Sequence, residues 1–257
     1  LCLFTAIPNA TAAEPAPPRG LKIGWNAGIS GALALTLLAT RFVPPPSTPR
    51  WQGAILADDA FRQWLEQPTE AQRSFHSDIS DVGVVINTTL PIASFAIVAL
   101  ASRKHQNRAF ANRALVATQA VLGSTLLTWI AKTAVARQRP IAEYGNESFF
   151  SGHSTSMLAA GLLFGEASPF AGEELAVWRY TLGSTALAVA VTTATLRMSA
   201  GRHYFSDVFV GAGVGFFFGY VYPWLVGNGE EEPAPVTAAL DPFYRDGPLL
   251  RFQFTLR

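Results

Sequence analysis

Three short segments hold the side chains with chemistry to offer: "KTAVARQRP" (Lys132–Pro140), "SFFSGHS" (Ser148–Ser154) and "LRMSAGRHYFSDV" (Leu196–Val208). Lys132 and Arg139 are seven residues apart, and seven steps of about 100° return to nearly the same face of a helix. Two fixed cations on one face at a membrane boundary can hold a multiply charged anion such as phosphate. The alternative is a pair of interfacial anchors reaching for lipid headgroups. Arg137 is offset from that face. Ser151 and Gly152 precede an apolar run, as at a helix start, where free backbone N–H groups and the helix dipole attract an anion. Gly152 lets the backbone come close, and His153 can supply a proton near neutral pH. The same turn also reads as a plain helix cap followed by an interfacial histidine.

Arg197 and His203 face different ways on one unbroken helix, but Gly201 can end that helix and bring both into one pocket. Asp207 follows His203 by four residues. On a helical backbone its carboxylate could fix the imidazole tautomer and raise its basicity, the orienting half of a nucleophile system. The competing reading is a polar turn in which Ser206 or Asp207 caps a helix. Paired histidines also suggest a metal, but zinc or a di-metal centre wants carboxylate or thiolate ligands beside them, and three nearby cations repel a metal ion. An anion site with no metal and no cofactor is the expectation.

The elements that must position these residues are apolar. Hydrophobic residues make up 49% of the 257-residue chain and charged residues 14%, against about 25% charged in an average soluble domain. Five charge-free runs, Ile23–Thr40, Val82–Ser102, Ala114–Ala131, Tyr180–Leu196 and Val208–Gly229, reach the ~17–25 residues of a bilayer-crossing helix. A sixth, Ser154–Gly165, is short and reaches spanning length only by continuing past Glu166 towards Phe170. The expectation is an all-α integral-membrane bundle of about six helices over residues 21–228, with the site at one membrane face; a soluble all-α protein with apolar core helices is the alternative. The net charge of +1 gives no footing for nucleic acid, and the single cysteine, Cys2, excludes an internal disulfide.

Residues 1–20, "LCLFTAIPNATAAEPAPPRG", read as either the end of a secretory signal peptide, cleaved near Ala12 or Ala13, or a disordered N-terminus. Phe61, Trp64 and Leu65 recur at i, i+3 and i+4 among charges, which describes a short amphipathic helix lying on the membrane surface or packing over the bundle. Arg103, Lys104, Arg108 and Arg113 crowd the connection between the second and third runs, which favours the cytoplasmic side for it. Alternation then gathers residues 41–81, 132–153 and 197–207 on the opposite, non-cytoplasmic side. This order needs the N-terminus inside, in conflict with signal cleavage, and the inside N-terminus is preferred. Residues 229–257 read as a polar linker and one short strand, Leu250 to Leu256 alternating with polar residues, with no partner strand in sight.

The order Lys-x6-Arg-Pro, Ser-Gly-His and Arg-x5-His-x3-Asp resembles the three-part signature of the type-2 phosphatidic acid phosphatase superfamily, which also contains vanadium haloperoxidases and bacterial acid phosphatases. The resemblance implies a metal-independent phosphatase with a phosphohistidine intermediate. In that scheme His203 attacks phosphorus, Asp207 orients it, and His153 protonates the leaving oxygen before activating water. Lys132, Arg139 and Arg197, with Ser151 and the Gly152 N–H, hold the phosphoryl oxygens. Phe150 stands where the family usually has proline, Leu196 where it has serine, and the gap from Pro140 to Phe150 is short. The membrane runs point to a lipid phosphate or diphosphate of the phosphatidate, phosphatidylglycerol phosphate or polyprenyl diphosphate type. Vanadate-dependent halide oxidation, or a lipid-phosphate-binding protein without turnover, are the rival functions.

Overall fold

The computed structural model describes residues 23–44, 46–101, 108–165, 167–170, 175–227, 236–240 and 250–254; the signal-like segment 1–20 lies outside them. The helices are α1 (Ile23–Ala39), α2 (Asp58–Leu65), α3 (Glu70–Ala101), α4 (Arg108–Val135), α5 (Met157–Phe164), α6 (Ala176–Ser199) and α7 (Phe205–Phe216), which continues through a π turn (Phe217–Val221) into α8 (Tyr222–Gly227). Four stretches, Ile23–Phe42, Glu70–Leu100, Phe110–Val135 and Phe205–Val226, are long and apolar enough to cross a membrane. The chain is a multi-pass membrane protein built as a helical bundle.

Two of the apolar runs behave differently from those four. Tyr180–Leu196 lies within α6, which is long enough at about 1.5 Å per residue, but its threonines, serines and two arginines keep it outside the set. Ser154–Gly165 does not continue towards Phe170. It forms a 3₁₀ turn (Ser154–Ser156) and the eight-residue α5, and the Arg179 Nε–H takes the Phe164 carbonyl at 2.9 Å. At that length α5 covers only about 12 Å. Leu158 to Leu163 are all buried, so α5 is the centre of the bundle and not a lipid-facing span.

Polarity across the bundle suits hydrocarbon surroundings. Trp25, Leu35, Ile92, Leu100 and Phe209 face outward, while Asn87, Gln119, Ser124 and Thr193 are buried. Inside, Gln119 donates to the Asn26 carbonyl at 2.9 Å and accepts from the Tyr222 hydroxyl at 2.5 Å, and Asn87 donates to the Ala186 carbonyl at 3.1 Å. Between helices in lipid, such polar contacts and close backbone approach replace the hydrophobic effect as glue. Close approach is clearest along α7 and its continuation. A Cβ on Gly211, Gly215 or Gly219 would lie 2.4 Å from Ser151 O, 2.5 Å from Thr155 O or 2.4 Å from Leu158 O. Their spacing of four puts all three on one face, pressed against the Ser-Gly-His turn and α5.

At one end of the bundle α1, α4 and α6 finish while α3, α5 and α7 begin. The connections there are tied together: Arg50 N–H to Ala136 O at 3.0 Å, Gln67 N–H to Ser199 O at 3.0 Å, and Ser151 N–H to Asp207 O at 3.0 Å. The three segments with chemistry thus share one end, as the alternation of runs requires. Over it packs α2, with Phe61 stacked on Phe205 at 4.1 Å and 5°, so the bundle claims this helix. Trp64 remains exposed.

Residues 22–229 form one compact unit. In the other, the strand read at the C-terminus does have a partner: β1 (Val236–Leu240) pairs antiparallel with β2 (Leu250–Phe254), Val236 opposite Phe254. "VTAAL" lacks the strict alternation that betrays β2 in the sequence.

Candidate active site

The first segment does not lie on one helix. α4 ends at Val135, and Ala136 takes a left-handed backbone with φ 46°, a conformation costly for any residue with a Cβ. The chain then runs extended, Gln138 N–H bonding Trp51 O at 2.9 Å and Arg139 N–H bonding Gly145 O at 3.0 Å. The shared helix face expected for Lys132 and Arg139 is therefore replaced by a turn that carries Arg139 back over the helix end. Lys132, on the last turn of α4, donates to the Glu147 carbonyl at 2.7 Å. Burial first, and then the neighbouring Arg202 cation, lower the Arg139 pKa.

Ser151, Gly152 and His153 do stand at a helix start. The Ser151 hydroxyl is buried and accepts the Ser154 N–H at 3.3 Å, and the 3₁₀ turn leads directly into α5. Gly152 lies close to α4, where a Cβ would meet the Thr128 methyl at 3.3 Å. The His153 ring, half-buried, places Nε2 2.6 Å from Asp81 Oδ1. Burial, followed by the Arg197 charge, pushes its pKa down to about 4 against the pull of Asp81.

Gly201, at φ 64°, ends α6 as its position suggests. Arg197 is buried, its Nη1 donating to the Ser77 and Ser80 hydroxyls at 3.2 Å each and to Asp81 at 3.4 Å. His203 is buried too, with Nδ1 2.8 Å from the Ser148 carbonyl. Burial pushes its pKa well below the ordinary histidine value, and Lys132, Arg197, Arg139 and His153 add to the push. All three motif cations are therefore within electrostatic reach of this imidazole.

Asp207 meets His203 differently from the one-turn contact read in the sequence. α7 begins only at Phe205, so His203 precedes the helix and no i, i+4 geometry links the two. Asp207 Oδ2 accepts the Tyr204 N–H at 3.0 Å and the Ser148 hydroxyl at 2.5 Å, while Oδ1 accepts Arg137 at 2.6 Å. It caps α7 and holds the residue whose carbonyl holds His203. Ser148 is thus the link between them.

Sequence reasoning passed over four residues. Arg137, merely offset in the helical reading, is fully buried between the Trp51 and Tyr204 rings, 4.0 Å from each centroid, and pairs with Asp58 at 2.7 Å as well as with Asp207. Asp58 also accepts the Ile55 and Ser206 N–H groups at 2.8 Å each. Burial alone would raise its pKa, but those donors and Arg137 hold it below the usual carboxylate range. Arg202 stacks over Tyr144 at 3.7 Å and adds a cation beside Arg139. Asp81, the fourth, lies just before the second apolar run, and its place at the site end was the one available signal. Among the described residues no three His, Cys, Asp or Glu side chains gather in a metal-holding cluster.

A multi-pass helical bundle with one lysine, three arginines and two histidines converging at one end defines a membrane protein with a cationic, histidine-bearing site. The sequence pattern of the PAP2 superfamily matches residues 113–230, which include all eight motif residues, and that part of the chain belongs to the superfamily. Its structure is similar to the crystal structure of the first transmembrane PAP2 type phosphatidylglycerolphosphate phosphatase from Bacillus subtilis, at 17% identity and a TM-score of 0.48, covering 80% of this chain and 94% of that one. No curated protein matches it.

Proposed function

We propose that this protein hydrolyses the phosphate or diphosphate headgroup of a membrane lipid through a phosphohistidine on His203. The observation that carries this reading is an apolar groove of about 460 Å³ between α3 and α4, lined by Val84, Thr88, Phe95 and Val121 and reaching Gly152 and Thr155 at the site. Both walls belong to membrane-spanning stretches, so a hydrocarbon chain can lie in the groove with its headgroup among the cations.

The chemistry follows from the side chains. A carbonyl can only accept, so Ser148 O fixes the proton of neutral His203 on Nδ1 and leaves the Nε2 lone pair for attack. The low pKa keeps that lone pair free at neutral pH. Lys132, Arg139 and Arg197, with Ser151 and the Gly152 N–H, stabilise charge on the phosphoryl oxygens. His153 gives its proton to the leaving oxygen and then takes one from the water that cleaves the phosphohistidine. A bound phosphate dianion offsets the burial and cations that depress the His153 pKa, so substrate itself favours the charged acid. Asp207 acts on His203 through Ser148 while fixing the start of α7.

The site belongs on the non-cytoplasmic side in this reading, because the arginines and lysine at 103–113 mark the opposite end as cytoplasmic. The test is phosphate release by detergent-solubilised protein from phosphatidate, phosphatidylglycerol phosphate and a polyprenyl diphosphate, each with chelator present. Release from at least one is expected; silence on all three sinks the reading.

A further inference from the structure

The proposed reaction leaves one contact unused. Asp81 stands on α3 with Oδ1 2.6 Å from His153 Nε2 and 3.4 Å from Arg197 Nη1. Its side chain is 60% exposed, so nothing in the packing of α3 demands a carboxylate there. One turn further along α3 begins the wall of the apolar groove, with Val84, Asn87, Thr88 and Pro91. A lipid chain in the groove therefore leaves its ester oxygen at the end where Asp81 and His153 meet.

We propose that Asp81 is a positioning residue for the leaving-group proton: it accepts the His153 Nε2–H, so that Nδ1 carries the proton that the departing lipid oxygen takes. This rests on the phosphatase reading above. The proton moves from Nδ1 to the oxygen as the P–O bond breaks, giving the alcohol, and the neutral ring keeps its Nε2–H on Asp81. Water attacking the phosphohistidine returns a proton to Nδ1 and releases phosphate, so the cycle consumes one water and leaves the imidazolium restored. Asp81 remains a carboxylate throughout.

The charges around His153 explain why an anion belongs there. Arg197 on α6, Lys132 on α4 and His203 before α7 all face it as cations or potential cations, and Asp81 on α3 is the anion that opposes them. Losing Asp81 removes that opposition. It also frees Arg197, which holds phosphate, so a simple drop in activity would not identify its role.

Leaving-group chemistry separates the two effects. An alkyl phosphate needs a proton on its departing oxygen, whereas nitrophenyl phosphate releases a stable phenolate without one. Full-length protein in detergent is assayed on both esters. In Asp81→Asn the alkyl-to-aryl ratio of kcat falls about a hundredfold, the scale of a positioned general acid, and Asp81→Glu recovers part of it. The basic limb of kcat on the alkyl ester moves to lower pH in Asp81→Asn, because the charged acid has lost its counter-ion. Equal loss on both esters, or loss on neither, overturns the assignment. A wild-type protein inactive on both esters contradicts the phosphatase reading itself and the assignment with it.

Discussion

The two histidines of the site differ in what holds them. His203 is buried against a carbonyl with cations around it, and His153 is half-buried against a carboxylate. Both have pKa values below the ordinary one, and this has a consequence for folding. In the unfolded chain a histidine takes up a proton as pH falls through about 6.5, while folded His203 resists until well below that and His153 until about 4. The unfolded state then binds more protons, so stability falls with falling pH across that window. Thermal melts of wild type are expected to drop more steeply than those of His203→Asn as pH is lowered from about 7 to 5; parallel curves would show that His203 is not held neutral. Phosphate added at the acidic end should recover part of the loss, since a bound anion favours protonated His153.

At the scale of elements, the site depends on a hub and a helix face. Arg137 joins Asp58 on α2 to Asp207 on α7 in a fully buried pair of ion contacts. Removing one partner of a buried ion pair typically costs about 3–5 kcal/mol because the other charge is stranded. Here two carboxylates would be stranded, so Arg137→Ala should lower the denaturation midpoint by an amount at or above that range, read by chemical denaturation in detergent. The α7 face makes a sharper comparison. Gly211→Ala drives a methyl into the Ser151 carbonyl, while at Gly213 nothing lies within 4 Å. Gly211→Ala is expected to lower phosphate turnover at least about tenfold, the sensitivity of a displaced binding group, with Gly213→Ala near wild type; equal activities would separate α7 packing from the site. Gly201 as the break after α6, the apolar runs and the three charged motifs were legible in the sequence. What was not legible has physical reasons. Alanine is the best helix former, so nothing warned that Ala136 would turn left-handed and end α4. Asp58 and Arg137 are 79 residues apart, and pairing at that range leaves no local periodicity. Asp207 looked like the direct partner of His203 because a helix was assumed through both, whereas the helix starts between them.

For the whole molecule, the bundle gathers the three motif segments at one end and surrounds α5 with lipid-facing helices. The lipid side is apolar, the interior carries amides and hydroxyls, and the groove between α3 and α4 reaches Gly152 and Thr155 at the site end. If the site end faces outward, Thr48→Cys in a Cys2→Ser background should react with a membrane-impermeant thiol reagent in intact cells, and His105→Cys only after permeabilisation. The reverse pattern would put the chemistry on the cytoplasmic side. In the proposed reaction His203 is the group that forms a bond to phosphorus. Rapid quenching of wild-type turnover on nitrophenyl phosphate, with chelator present, followed by mass spectrometry of the denatured protein, tests it most directly. The expected result is an acid-labile phosphoryl group on the His203 peptide, absent together with turnover in His203→Ala. Turnover that survives in His203→Ala, or a phosphoryl group found only elsewhere, would contradict it.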